Sequence, residues 1–298
     1  MDRLQKILGN EKILLGELMK NHTTFHIGGV ADIMVLPTTE REIIDIIRLC
    51  NELGRSFFIL GGGSNILVSD DGMRDVVIKL SENYSAYDIE DNRVQAEAGI
   101  RLSTLSSKIL AAKLTGFEFA SGIPGTVGGG VYMNAGAYDG EMKQIVSKVR
   151  VIDRAGNIKT YSNEEMQFSY RKSKAMENGE IISKVDFTLS HGNYDDIKAK
   201  IDDLTNRRVS KQPLTEYSAG SMFKRPVGNY ASKLIEEAGL KGFSIGEAKV
   251  SEKHSGFVIN KGDCSYADMV SFIEEVKRRV YEHSGVMLEE EVRILGKK

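Results

Sequence analysis

Five short segments of this 298-residue chain carry residue types and spacings suited to chemistry. The first is Leu60-Gly61-Gly62-Gly63-Ser64-Asn65-Ile66, three consecutive glycines followed by two small polar side chains. Glycines there admit positive φ and can turn successive N–H groups toward one point, an anion-binding concavity to which Ser64 and Asn65 add donors. The plainer reading is a tight turn with no ligand, but a turn needs only one or two glycines. The second segment runs from Ala120 to Glu141 and contains seven glycines. It includes Ser121-Gly122-Ile123-Pro124-Gly125-Thr126, then Gly128-Gly129 and Val131. Small residues let backbone approach a flat ligand closely enough for peptide groups to read its polar edge. Two such loops, each next to a strand, favour one extended ligand touched by both, and a dinucleotide with a flat ring has that shape.

The other three segments supply polar side chains. Ser169–Ser173 places Arg171 among small polar neighbours, and Ser218–Pro226 sets Ser221 between Gly220 and the apolar pair Met222-Phe223. Leu288–Gly296 opens a last strand with Glu289, Glu290 and Glu291. Each also has a bland reading: a surface charge beside Lys172 and Lys174, a turn cap, and a solvated acidic run. Strand alternation puts Glu289 and Glu291 on one face and Glu290 with Val292 on the other, without saying which face is buried.

Several familiar chemistries are excluded. A dinucleotide fingerprint of G-x-G-x-x-G fails at its last position, Ile66 or Met133, and neither glycine loop contains a Gly-Lys-Ser/Thr phosphate motif. Ser221 is not in a G-x-S-x-G elbow, because Ala219 stands where the first glycine belongs. His22 and His26 lack an accompanying HExxH or CxxC, so no metal site is expected. A formal charge of −2 removes the bulk electrostatic case for nucleic acid or an anionic membrane surface. Only Cys50 and Cys264 are present, which fits a reducing compartment rather than a disulfide scaffold. No signal-peptide core or bilayer-length apolar run is seen, and the expectation is a cytoplasmic protein.

The elements that must position these segments are legible from periodicity. Strands are expected at Asp32–Leu36, Phe57–Leu60, Asp75–Leu80, Val94–Ala98, Val149–Asp153, Ile181–Leu189 and Glu291–Leu295. Helices are expected at Thr39–Leu53, with a Thr39/Glu42 capping box and Gly54 as its stop, and at Ser103–Lys113, Tyr194–Ser210, Tyr230–Ala238 and Ser265–His283. Composition and spacing stop at an α+β nucleotide binder with soft boundaries near residues 80 and 192.

In order along the chain, NHTTFHIGGVAD (Asn21 to Asp32), LGGGSN, FASGIPGTVGGGVYMNAGA, SYRKS, AGSMFKRP and LEEEVR resemble the UDP-N-acetylenolpyruvoylglucosamine reductase family. The resemblance spans about Asn21 to Gly296. It implies an α+β fold with a two-part FAD-binding region of the vanillyl-alcohol-oxidase type (1–80 and 81–192) and a C-terminal α/β substrate domain (193–298), whose last strand returns Glu291 to the flavin. It implies an FAD- and NADPH-dependent enzyme that reduces the enolpyruvyl group of a UDP-sugar to UDP-N-acetylmuramate for peptidoglycan. The FAD contacts implied are Leu60 to Ile66, Ser121 to Thr126, Gly128, Gly129 and Val131. The implied catalytic set is Arg171, Ser221 and Glu291, with Tyr170, Lys224 and Arg225 on the substrate. No histidine stands in Leu60–Ile66 to tether a flavin, so non-covalent FAD is expected. The short span between Arg171 and Ser221 points to the family's shorter form, which lacks an inserted tyrosine. A monomer is expected, with no nucleic-acid or membrane partner. The alternatives are an FAD oxidase of the same fold and a flavin- or nucleotide-binding module without catalysis.

Overall fold

The computed structural model describes residues 1–296. The chain divides into two compact units: 1–15, 33–62 and 75–207 form the larger, and 16–32, 63–74 and 208–298 the smaller.

The larger unit is built on two sheets. Strands Ile13–Leu18, Val30–Val35, Met73–Lys79 and Phe57–Leu60 lie in that order, the last two parallel. The second sheet is antiparallel, in the order Ile158–Ser162, Val146–Ile152, Ile181–Thr188, Arg93–Glu97 and Tyr87–Glu90. Its strands follow the two-residue period: Val94 and Ala96 are buried while Arg93 and Gln95 face out. Facing Val149, Val185 and Phe187 join the main core, where Phe117 meets Phe187 edge-on at 5.5 Å. The helix Glu40–Glu52 buries Ile43, Ile46, Ile47 and Cys50 as expected, and Gly54 ends it at φ 61°. Its capping is a little different from the expected box. Thr39 Oγ1 accepts from the Glu42 N–H, but the Glu42 carboxylate takes the N–H of Thr38.

The smaller unit has its own core. Helix Tyr266–Ser284, capped by the Ser265 hydroxyl, buries Met269, Phe272, Ile273, Val276 and Val280 together with Phe25, Ile27, Met222, Phe223, Leu234 and Ile235. Ser244–Ile245, Ala248–Val250 and Val258–Asn260 form a small antiparallel sheet. The last strand is shorter than expected, Arg293–Leu295, and pairs in parallel with Ile66–Val68 directly after the first glycine loop. Glu291 therefore precedes the strand instead of opening it. Among the described residues, no helix is long and apolar enough to cross a membrane.

Candidate active site

In the larger unit, Leu60 closes its strand by accepting from the Leu80 N–H, and Gly61 and Gly62 follow. Neither glycine uses positive φ, contrary to the reading of all three as conformational glycines. Space requires them instead. A Cβ on Gly61 would lie 2.7 Å from Thr126 Oγ1, and one on Gly62 would lie 2.8 Å from Gly125 Cα. The two glycine loops thus pack backbone to backbone.

The second loop contains a helix that periodicity did not reveal, Val127–Tyr132, with the sequence Val-Gly-Gly-Gly-Val-Tyr. Three glycines oppose a helix locally, so its surroundings impose it. Thr126 caps it by accepting from the Gly129 N–H, the Gly128 N–H donates to Ala98 O, and Val127 and Val131 are fully buried. Gly128 and Gly130 are buried because side chains there would strike Ala98 and crowd Leu102 and Met142. Gly129 is different. It is exposed, and a Cβ there would come no nearer than 3.7 Å to any protein atom. Ahead of the helix, Ser121 and Ile123 close short turns onto Glu118 and Ala120, and Gly125 (φ 117°) accepts from Leu102. Gly122 is half-buried and Pro124 is exposed.

Arg171 belongs to the same unit. Ser169 and Lys172 exchange both main-chain hydrogen bonds, so Tyr170 and Arg171 form the tip of a tight turn. Arg171 sits at φ 56°, half-buried, with its guanidinium 5.0 Å from the Tyr170 ring centre. Two buried side chains hold this turn to the glycine helix. Asn134 Nδ2 donates to Ser169 O at 3.1 Å, and the Ser173 hydroxyl donates to Tyr132 O at 2.7 Å.

The smaller unit holds the rest. Gly63, at φ 63°, is the one glycine of the triplet in the left-handed region, and a Cβ there would lie 1.9 Å from His22 O. Gly63 O accepts from the Thr24 N–H, while Thr24 Oγ1 is buried without a partner. Ser64 and Asn65 are half-buried, and Ile66 begins the strand paired with Arg293. Asn65 faces the acidic segment: its side-chain amide donates to Glu291 O at 3.3 Å, and its own carbonyl accepts from the Arg293 N–H.

Ser221 follows Gly220 (φ 81°) and is bridged to Phe257. Its hydroxyl donates to Phe223 O at 3.3 Å. Phe223 is bridged to Glu290, and the Glu291 N–H donates to Met222 O at 2.8 Å. Main-chain bonds thus bring Ser221 and Glu291 together. The three carboxylates lie ahead of the strand, so strand alternation does not govern them. Glu289 is exposed and pairs with Lys224, Glu290 pairs with Lys277 at 2.8 Å, and Glu291 is half-buried. Arg225 lies 4.0 Å over the Tyr230 ring.

Thr24, Asn134 and Ser173 are residues that motif reading missed. Thr24 stands in the NHTTFHIGGVAD segment and Asn134 follows the glycine helix at φ 42°, a conformation asparagine tolerates better than most residues. A cavity of about 420 Å³ elsewhere in the larger unit, lined by Glu118, Tyr138, Asp139 and Lys200 among others, includes none of the expected site residues.

Residues 31–162 match the family described as FAD binding domain, and residues 212–295 match UDP-N-acetylenolpyruvoylglucosamine reductase, C-terminal domain. A UDP-N-acetylenolpyruvoylglucosamine reductase from Clostridioides difficile is 52% identical across 98% of this chain and 96% of the relative. One from Caldanaerobacter subterraneus subsp. tengcongensis is 50% identical across 100% of this chain and 98% of its own. The crystal structure of the reductase from Thermus caldophilus superposes with a TM-score of 0.81 at 33% identity, covering 96% of this chain and 98% of that one. An alkyldihydroxyacetonephosphate synthase shares the fold alone, with a TM-score of 0.51 at 14% identity over 64% of this chain and 40% of its own. The architecture is α+β, with an FAD-binding region of the vanillyl-alcohol-oxidase type and a distinct C-terminal domain.

Proposed function

The chain belongs to the UDP-N-acetylenolpyruvoylglucosamine reductase family, and from that premise we propose how its residues divide the work. It is an FAD-dependent oxidoreductase that uses NADPH to reduce the enolpyruvyl double bond of UDP-N-acetylglucosamine-enolpyruvate, yielding UDP-N-acetylmuramate for peptidoglycan. The observation that carries the residue assignments is the meeting of three distant motifs at Glu291, whose N–H bonds Met222 beside Ser221 and whose carbonyl bonds Asn65 of the first glycine loop.

The residues present suit FAD. Gly61, Gly62 and Gly63 exclude side chains from the first loop, Thr24 offers a buried hydroxyl without a partner, and Gly129 leaves open space that no protein atom requires. Leu60 to Ile66 would hold the pyrophosphate, and Ser121 to Thr126 with Gly128, Gly129 and Val131 would hold the rest of the cofactor. Binding is non-covalent, as no histidine or cysteine stands in either set. FAD held there would supply two-electron redox chemistry, with NADPH as the source of the hydride and C3 of the enolpyruvyl group as its destination.

The side chains manage the charge that results at C2. Arg171 presents a planar fork to the substrate carboxylate, into which that charge delocalises. Glu291, protonated, donates a hydrogen bond to the same carboxylate, and together they stabilise the enolate-like state. Ser221 delivers the proton to C2; a hydroxyl is a weak acid, but a carbanion is a strong enough base to take it. The proton and hydride complete the saturated lactyl ether. Tyr170, Lys224 and Arg225 contact the UDP-sugar.

Residues 1–80 and 81–192 act as the two FAD subdomains, and 193–298 as the substrate domain. The protein is a cytoplasmic monomer of the family's shorter form, with no metal, nucleic-acid or membrane partner. The test is the flavin spectrum of purified protein under anaerobic conditions. NADPH bleaches it, and the enolpyruvyl substrate restores the colour. Restoration by oxygen but not by that substrate would refute the assignment.

A further inference from the structure

Arg171 occupies a place in its turn that the local sequence does not favour. The second tip position of a tight turn with positive φ is ordinarily glycine or asparagine, yet here it is an arginine at φ 56°. A side chain in such a conformation persists only where its surroundings over-determine it. Among the surroundings are Asn134 and Ser173, each 1% exposed.

Asn134 uses both of its side-chain donors and its acceptor oxygen. Nδ2 donates to Ser169 O and to Glu141 Oε2, both at 3.1 Å, and Oδ1 accepts from the Lys143 N–H at 2.9 Å. An amide provides two donors and an acceptor in one group, and neither Asp nor Leu of similar size does so. Ser173 meets a different need. Tyr132 ends the glycine helix, and its carbonyl is among those that a helix leaves without an intrahelical partner. The Ser173 hydroxyl fills that vacancy at 2.7 Å while also capping the helix Lys174–Asn178. One side-chain bond therefore grips the turn at Ser169, and the other grips the chain just after it at Ser173. Both run to the C-terminal end of the helix whose capped beginning holds Thr126 and Gly129.

We infer that Asn134 and Ser173 are positioning residues for Arg171: they fasten its turn to the glycine helix, so that the arginine and the flavin-facing backbone share one rigid piece. The inference rests on the reading of Arg171 as the carboxylate clamp and of Thr126–Gly129 as a flavin contact. It adds that the clamp is held in register with the cofactor by two bonds between side chains and backbone.

The test separates the half-reactions of the FAD-loaded enzyme by stopped-flow absorbance. Asn134→Gly keeps the backbone conformation and deletes all three side-chain bonds. It is expected to slow oxidation of reduced flavin by UDP-N-acetylglucosamine-enolpyruvate by about tenfold, while reduction by NADPH and flavin content stay within about twofold. Ser173→Ala acts in the same direction from the other end, and Ser173→Thr restores the rate. The decisive measurement is the pairing with Arg171→Ala. If the two side chains act through the arginine, the Asn134→Gly/Arg171→Ala double variant is no slower than Arg171→Ala alone. Additive losses, or equal slowing of both half-reactions by Asn134→Gly and Ser173→Ala, overturn the inference. If Arg171→Ala by itself leaves the oxidative half-reaction intact, the clamp reading falls first, and the positioning role falls with it.

Discussion

The two parts of the candidate site are held by different means. Arg171, in the larger unit, stands on a turn in a disfavoured backbone conformation, fastened by the side chains of Asn134 and Ser173. Ser221 and Glu291, in the smaller unit, are placed by main-chain bonds: Ser221 bridged to Phe257, Met222 N–H to Gly256 O, and Glu291 N–H to Met222 O. Where left-handed backbone is needed beside Ser221, the residue is Gly220, at φ 81°. The contrast follows from what each residue does. A glycine can relieve the turn next to a serine, but at Arg171 the functional side chain itself occupies the strained position. Placement by backbone tolerates side-chain substitution nearby; placement by two buried polar groups does not.

The largest effect expected is at Ser221. Ser221→Ala should slow the oxidative half-reaction by roughly 10²–10⁴-fold, the usual consequence of losing a general acid. It should leave flavin reduction by NADPH and thermal stability nearly intact, since the hydroxyl makes a long 3.3 Å bond to the Phe223 carbonyl and main-chain bridges hold the segment. Equal slowing of both half-reactions would show that Ser221 is not the proton donor. Glu291→Gln sharpens the point. An amide still donates a hydrogen bond, so an oxidative rate close to wild type supports a protonated donor, and a loss as large as that of Ser221→Ala contradicts it.

The backbone contrast gives a smaller, paired effect. Left-handed φ costs a residue with a Cβ roughly 1–2 kcal/mol relative to glycine. Gly220→Ala should therefore lower stability by about 1 kcal/mol through conformation alone, because a Cβ there meets nothing within 4 Å. At the other position the sign reverses. Arg171→Gly should be more stable than Arg171→Ala by about 1 kcal/mol, with both slowed alike in the oxidative step, though less than Ser221→Ala. Urea unfolding of the four proteins checks both signs, and equal stability of the two Arg171 variants would mean that the turn is not strained.

The smallest effect is a pH dependence confined to the Ser221 side. His254 Nδ1 accepts from the Gly256 N–H, next to the Gly256 carbonyl that bonds Met222. Burial pushes the imidazole below its ordinary value, although nearby Glu236 works the other way. The folded state thus prefers the neutral ring. Its contribution is present above about pH 6.5 and is lost as pH falls through the lowered folded value. The unfolding midpoint should decline from pH 7 toward pH 5 in the wild type and more weakly in His254→Asn. Parallel pH profiles for the two proteins would remove His254 from this role.

Much of the architecture was legible because it is local. Thr39, Ser265, Gly54 and Gly239 mark helix ends through bonds and dihedrals within a few residues, and the apolar faces of Glu40–Glu52 and Tyr266–Ser284 follow a simple period. The five chemical segments were equally visible as residue types. What spacing alone did not reveal is the helix Val127–Tyr132, because its glycines argue against it and only the Ala98, Leu102 and Met142 contacts explain them. Nor did it distinguish Gly63, a conformational glycine, from Gly61 and Gly62, which are glycines for lack of room.

The sequence by itself determined the chemistry available to this protein: an arginine, a serine and a carboxylate, two runs of bare backbone, and neither metal-binding motif nor excess charge. Tertiary structure decided which of three adjacent glutamates stands beside Ser221, that Asn65 reaches Glu291 across 226 positions of chain, and that Asn134 grips the turn carrying Arg171. The physical reason is range. Helix caps and periodic faces are settled among near neighbours, whereas a hydrogen bond between distant segments exists only once the packing of one unit has brought its donor and acceptor within about 3 Å of each other.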